Sequence, residues 1–271
     1  MIQPTPEEEA KLEATKAPLL DHLIEFRGRL IKSIVAFFLA FGVAYFFHEQ
    51  IYAFLVQPLA DAMVGQANRH LIFTALYETF FTYVKLAMFG GLCLAFPYIA
   101  SQLWMFVAPG LYKHERRAFL PFLAMTPVMF LVGAAFVYYI MLPYAIRFFL
   151  SFETPGANGT MPIQLQAKVS EYLSFVMTLI FAFGLCFEMP VLLTLLGRVG
   201  IVTSKQLAGA RRYAIVGIFA LAAVITPPDA FSMLSLAFPL VALYEVSILC
   251  VKLIEKKRAT EDAAKAGSSP A

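Results

Sequence analysis

Two glutamates of this sequence stand among basic residues at the edge of an apolar run. Glu25 lies in DHLIEFRGRL (residues 21–30), and Glu115 lies in WMFVAPGLYKHERR (residues 104–117). Beside a membrane the dielectric constant is lower than in bulk water, which strengthens ion pairs. A carboxylate there suits a guanidinium group, through paired N–H···O bonds that lysine cannot reproduce. The two glutamates are therefore candidate receptors for a pair of arginines, and a local salt bridge is the alternative for each.

A third acidic residue, Glu188, interrupts a run that is otherwise uncharged from residue 172 to residue 197. Ionisable side chains within a membrane are costly, usually face the protein interior or a wet cavity, and mark function. Pro190 follows closely and disrupts the helix there. The structural alternative is a protonated side chain bonded to a neighbouring helix. Lys85 is a candidate partner across the bundle.

The composition requires that these residues be positioned by membrane-spanning helices. The 271 residues are 60% hydrophobic and only 14% charged, whereas a soluble domain has about 25% charged residues. Residues 86–112 and 118–146 contain no charge, and about 18 such residues suffice for a transmembrane helix. No strand alternation is visible. The sequence therefore predicts an all-α integral membrane protein.

Six spans follow from the apolar runs, between a polar tail (1–17) and a disordered tail (256–271), with residues 18–255 as the transmembrane domain. An amphipathic helix begins near Pro18 and enters the first span. Gly90 and Gly91 predict a close helix approach, and Pro58 is expected to break a surface helix. The fifth run spans only about 21 Å of helix, which predicts local thinning of the bilayer. The predicted spans are 30–47, 78–101, 118–142, 171–196, 213–226 and 230–251.

The distribution of basic residues predicts the orientation. The two tails and the loops 102–117 and 197–212 carry 17 Lys and Arg residues, and the opposite loops carry 3. Basic residues accumulate on the cytoplasmic side. Both termini are therefore expected in the cytoplasm, and Glu25 and Glu115 share that face.

Several function classes find no support in the sequence. No nucleophile elbow, P-loop, dinucleotide turn or metal-binding spacing is present, so no enzyme, cofactor or metal is expected. The net charge of +3 predicts no nucleic-acid partner. An acidic N-terminal stretch argues against a cleavable signal peptide. The remaining alternative is an ion-coupled secondary transporter of a small solute, with Glu188 and Lys85 as its relay.

Four motifs resemble the TatC family, the receptor subunit of the twin-arginine protein translocase. They are HLIEFRGRL (22–30), FVAPGLYKHERR (106–117), AFGLCFEMPV (182–191) and ITPPDAFS (225–232). The resemblance implies a curved, cupped bundle of six helices in the cytoplasmic (inner) membrane. It also implies recognition of the Arg-Arg motif in signal peptides of folded cargo, and transport driven by the proton-motive force. The implied partners are the single-span TatA and TatB subunits, further TatC copies and membrane lipid.

The resemblance also assigns roles to particular residues. Glu25 and Glu115 correspond to the family's signal-binding glutamates, and Glu188 to its intramembrane glutamate facing the concave side. The residues expected to support signal-peptide binding are His22, Arg27, Phe106, Lys113 and Arg116. Those expected at periplasmic or partner-contact positions are Pro58, Tyr172, Thr226, Pro227 and Asp229.

Overall fold

The computed structural model describes residues 6–63, 70–107, 116–156, 161–226 and 230–267. Within these ranges the chain is helical, apart from two isolated β-bridges between connecting segments. Six helical stretches are long and apolar enough to cross a membrane, which confirms the predicted all-α fold with six spans. The helices are α1 (Pro6–Phe46), α2 (His48–Ala62), α3 (Glu78–Val107), α4 (Arg116–Phe136), α5 (Leu142–Leu150), α6 (Val169–Cys186), α7 (Met189–Val199), α8 (Ser204–Ile225) and α9 (Ala230–Gly267).

The core surrounds α6. Leu173, Val176, Leu179 and Phe183 of this helix are at most 1% exposed, because neighbouring helices cover it on several sides. The spans formed by α1 and α8 are the least buried of the six. These two helices therefore lie at the periphery, where most of their side chains face outwards.

The long contact between α1 and α3 depends on a glycine. A Cβ atom on Gly91 would lie 2.7 Å from Cα and 2.8 Å from the backbone nitrogen of Phe41. Small residues let helix backbones approach closely where no larger side chain fits. The close approach predicted from Gly90 and Gly91 is therefore confirmed, and it fixes how α1 leans on the bundle.

Pro58 does not break the surface helix, contrary to the sequence prediction. It lies inside α2, although proline cannot donate the hydrogen bond that the carbonyl group of Phe54 would otherwise accept. The Tyr138 hydroxyl donates to that carbonyl oxygen at 2.9 Å. A tertiary hydrogen bond thus replaces the helical one and lets α2 continue to Ala62.

The third span is longer than the predicted 118–142. The helix continues from α4 through a π-helical segment, Val137–Met141, into α5. Pro143 occupies the first turn of α5, where its missing N–H group is tolerated most easily. A proline that the sequence places beyond the end of the span is therefore part of it.

The fifth span also exceeds the apolar run that predicts it. A capping box between Thr203 and Gln206 starts α8, so the helix has 22 residues, or about 33 Å. Three of the four basic residues counted as a loop, Lys205, Arg211 and Arg212, belong to this helix, and Arg211 pairs with Glu245 of α9 at 2.7 Å. The 14-residue limit was wrong because it counted apolar residues alone.

The two predicted tails are helical where they are described. Residues 6–17 belong to α1, and residues 256–267 extend α9. Both stretches are rich in Ala, Glu and Lys, which have high helix propensity. Extending an existing helix needs no new nucleus. The low hydrophobicity of residues 256–267 was therefore not enough to predict disorder.

Candidate functional site

An aromatic contact joins the start of the first span to the end of the second. The His22 ring stacks on the Phe106 ring with centroids 4.2 Å apart and planes inclined by 17°. Phe26, one turn further along α1, contacts the same ring at 5.3 Å. Two predicted site residues, His22 and Phe106, are therefore brought together, and Phe26 joins them without having been predicted.

Glu25 lies on α1 within the same turns and is held by Arg29. The Nη2 and Nε atoms of Arg29 donate to its Oε1 atom at 2.6 and 2.9 Å. The Glu25 side chain is 33% exposed, and its Oε2 atom accepts no hydrogen bond in the described ranges. The local salt bridge foreseen as an alternative is thus present, and it leaves one carboxylate oxygen accessible.

The remaining basic and acidic residues of this group are described only in part. Arg27 is exposed on α1. Glu115 and Lys113 lie outside the described residues. Arg116 is the first residue of α4. α3 is described as far as Val107, so Phe106 is the last described site residue before residues 108–115.

Glu188 lies at a break in the fourth span, as predicted. α6 ends at Cys186 and α7 begins at Met189, so Glu188 stands between two half-helices. Its side chain is only 6% exposed. Neighbouring helices therefore cover it, and its position on the concave side stays a prediction.

The polar groups near Glu188 are already engaged with one another. The hydroxyl group of Thr126 and the backbone of Phe130 lie close to the carboxyl group. However, the Thr126 hydroxyl accepts from Trp104 Nε1 at 3.0 Å and donates to the Phe122 carbonyl oxygen at 3.2 Å. Neither carboxylate oxygen of Glu188 accepts a hydrogen bond from the described part of the chain. A buried carboxyl group whose polar neighbours bond to other groups is expensive to maintain, which favours a functional role.

Lys85 is not the partner of Glu188. It is exposed and lines a cavity with Ser174 and Thr178 of α6, whereas Glu188 lies ten residues beyond Thr178, past the end of that helix. No ion pair joins the two side chains. The proton or ion relay of the transporter alternative therefore loses its two proposed members.

Three residues expected at periplasmic or partner-contact positions make internal contacts. Pro58 and Tyr172 are buried, and the Tyr172 hydroxyl donates to the Leu55 carbonyl oxygen at 3.0 Å. Thr226 is 6% exposed, and its hydroxyl donates to Ala222 at the end of α8. These side chains hold helices together and offer little surface to another chain. Pro227 and Asp229 lie outside the described residues.

Sequence reasoning missed a buried cluster around Glu78, the first residue of α3. One carboxylate oxygen accepts from the backbone N–H groups of Thr74 and Ala75 at 2.9 and 3.3 Å. The other accepts from the Ser170 hydroxyl of α6 at 2.6 Å, and Lys168 Nζ lies 3.5 Å from the carboxylate. The signal was present in the sequence as an acidic residue at a helix start, where it caps free N–H groups. Its second partner, distant in sequence, was not visible.

The described residues contain no group of three or more His, Cys, Asp or Glu side chains that could hold a metal ion. Cys93, Cys186 and Cys250 are free. The features that remain are acidic groups on helices and in a helix break, within a bundle of six apolar spans. They define a multi-pass membrane protein whose polar groups suit binding.

Comparison with known proteins identifies the family. The family described as Sec-independent protein translocase protein (TatC) matches residues 21–239. The chain belongs to the TatC family, and it is therefore a component of a protein translocase.

Individual relatives agree along almost their whole length. The TatC protein of Magnetococcus marinus is 46% identical over 249 residues, which cover 92% of this chain and 89% of that protein. The TatC protein of Rickettsia prowazekii is 42% identical over 238 residues, which cover 88% and 94%. A crystal structure described as the twin arginine translocase receptor TatC superposes with a TM-score of 0.73 at 38% identity, covering 86% of this chain and 99% of that one.

Proposed function

We propose that this chain is the translocase subunit that captures the Arg-Arg motif of signal peptides on folded cargo. The observation that carries the proposal is the partly exposed Glu25 carboxylate, held on α1 beside the His22–Phe106 stack. The stack sets the start of α1 against the end of α3. Glu115 follows the end of α3 by eight residues, and it is proposed as the second carboxylate.

Binding requires an incoming arginine to use a carboxylate that already has a partner. The Oε2 atom of Glu25 is available, because both hydrogen bonds from Arg29 go to Oε1. A guanidinium group either shares the carboxylate with Arg29 or displaces it. The pair is part-buried, and i,i+4 ion pairs on helices contribute only about 0.3–0.5 kcal/mol, so Arg29 holds the carboxylate in place without blocking it.

The remaining supporting residues contribute either an aromatic surface or positive charge. His22 and Phe106 form an aromatic surface against which an apolar side chain next to the arginines can pack. Arg27, Lys113 and Arg116 are basic. They repel an incoming cationic peptide unless each of its two positive charges lies at one of the two carboxylates. That arrangement favours a peptide with two guanidinium groups at fixed spacing.

The proposal places both termini in the cytoplasm and the chain in the cytoplasmic membrane. The 17-to-3 distribution of Lys and Arg supports this orientation. Residues 18–255 form the transport unit, flanked by cytoplasmic extensions at 1–17 and 256–271. Single-span TatA and TatB subunits and further copies of this chain complete the machinery, and the proton-motive force drives transport.

Glu188 is proposed to act later than capture. It lies within a span, is 6% exposed and has Thr126 and Phe130 of α4 beside its carboxyl group, so a bound peptide meets it only after the covering helices move apart. Glu188→Gln should then leave peptide capture intact and reduce export in cells depleted of the native protein. Unchanged export would reduce Glu188 to a packing role.

A binding assay with two matched peptides tests the capture step. The purified chain in detergent is titrated with a labelled peptide that carries Arg-Arg and with the same peptide carrying Lys-Lys. Glu25→Gln and Glu115→Gln should each weaken Arg-Arg binding by about tenfold or more, because each removes a charge-assisted, bidentate contact. Glu49→Gln, an exposed change at the start of α2, is the control and should bind normally. Retention of the Arg-Arg preference when Glu25 and Glu115 are both replaced would refute the proposal.

A further inference from the structure

Lys85 is a cation inside a membrane span, and no residue of the described ranges pairs with it. It lies on α3 seven residues from Glu78, where the helix begins, or about 10 Å into the span. No hydrogen bond or ion pair reaches it from the described part of the chain. A lysine at such a depth normally pairs with an anion or reaches towards the nearer membrane surface. No described residue supplies the anion.

The surroundings of Lys85 form a cavity between three helices. Its volume is about 530 Å³, within the range of about 300–1,000 Å³ that is usual for ligand sites. α6 contributes Ser174 and Thr178, whose hydroxyl groups make no hydrogen bond to described residues. By contrast, hydroxyl groups such as those of Thr82 and Ser247 bond to the carbonyl oxygen one turn earlier. One cation and two free hydroxyl donors therefore line the same cavity.

The rest of the cavity wall is apolar and opens sideways. Phe37 of α1 and Met88, Phe89 and Leu92 of α3 complete it, together with Met177 and Phe181 of α6. Met88 and Thr178 are exposed, so the cavity is reached from the side of the bundle that faces lipid. An occupant must combine an anionic group with long apolar chains, and it must come from the membrane.

We propose that this cavity binds the phosphate group of an anionic phospholipid, held by Lys85 and by the hydroxyl groups of Ser174 and Thr178, with an acyl chain along the apolar wall. The ammonium group supplies the charge, and the hydroxyl groups donate to the phosphate oxygens. A basic pocket between transmembrane helices suits such head groups. The orientation proposed above puts this lipid in the outer leaflet, since Lys85 is nearer to the end of α3 opposite Phe106.

Lipid retention measured by native mass spectrometry tests this site directly. The full chain in detergent is mixed with phosphatidylglycerol or with zwitterionic phosphatidylcholine of the same acyl chains. The wild type should retain one phosphatidylglycerol about tenfold more tightly than phosphatidylcholine. Lys85→Gln should abolish that preference, and Lys85→Arg should keep it. Arg147→Gln, which removes an exposed basic residue from α5 outside the cavity, is the control and should match the wild type.

Further arms separate the alternatives and guard against misfolding. Ser174→Ala with Thr178→Val should weaken phosphatidylglycerol retention a few-fold while Lys85 remains, and each variant must elute as the wild type in gel filtration. Inorganic phosphate alone should not compete, because it gains nothing from the apolar wall. Equal retention of the two lipids by the wild type, an unchanged preference in Lys85→Gln, or competition by inorganic phosphate would each overturn the proposal.

Discussion

The contact between α1 and α3 predicts a sharp response to one added methyl group. Gly91→Ala places a Cβ atom 2.7–2.8 Å from backbone atoms of Phe41. Carbon atoms in contact prefer about 3.5–4.0 Å, so the two helices must separate by about 1 Å. The obstacle is backbone, and no side-chain rotation relieves it. α1 itself is only lightly anchored, since Ala44 is the one buried residue among its described side chains.

The expected magnitude follows from two opposing effects. Overpacking of a well-packed contact costs about 1–3 kcal/mol. Replacing glycine by alanine inside a helix gains about 0.8–1.0 kcal/mol of helix propensity. Gly42→Ala provides the matched control, because a Cβ atom on Gly42 of α1 meets nothing within 4 Å. Gly91→Ala should therefore have a free energy of unfolding about 1–3 kcal/mol lower than Gly42→Ala.

Reversible unfolding in mixed micelles measures this difference, with Arg-Arg peptide binding as a second readout. Because α1 carries His22 and Glu25, its displacement should also weaken the His22–Phe106 contact and peptide capture. Gly42→Ala should leave both unchanged or improved. Equal stability of the two variants would show that the helices part without cost, and the reasoning from close packing would then be refuted.

Three further predictions concern buried polar groups. Glu78→Gln should loosen the segment before α3, because it removes the charge that Lys168 faces. Hydrogen exchange over residues 70–77 should accelerate in this variant, whereas Glu49→Gln, the control, should leave the exchange rate unchanged. Tyr172→Phe should lower the free energy of unfolding by about 0.5–1.5 kcal/mol through loss of one hydrogen bond, whereas Tyr139→Phe, exposed and without a hydrogen bond to described residues, should have no effect. Glu188→Leu should raise the melting temperature while export falls, since it removes a buried carboxyl group that accepts no hydrogen bond from described residues. A lower melting temperature would indicate that the carboxyl group has a partner.

The sequence predicts the architecture well because membrane spans are simple to recognise. Long uncharged runs predict the six membrane spans. The pair of Glu188 and Pro190 correctly predicts the break between α6 and α7. Gly91 correctly predicts the close approach of α1 to α3. In each case one local property, namely apolarity, charge or size, determines the outcome.

Features that depend on partners distant in sequence could not be predicted. Pro58 is tolerated in α2 because Tyr138, 80 residues later, supplies the missing donor to Phe54. The apolar run of the fifth span underestimates α8, since Glu245 of α9 neutralises Arg211 within the helix. The burial of Glu188 likewise arises from neighbouring helices, whose positions in space the sequence does not reveal. Local patterns contain no information on these contacts.

The cluster around Glu78 also bears on how the chain is made. Its carboxylate bonds to Ser170, 92 residues further along, and ribosomes add about 5–20 residues per second. For about 5–20 s after its synthesis, Glu78 therefore has only nearby donors, namely the N–H groups of Thr74 and Ala75 and the Thr74 hydroxyl group. A nascent chain stalled after three spans lacks this closure, and the connection between the first and second spans is then open to proteases and chaperones until the fourth span is inserted.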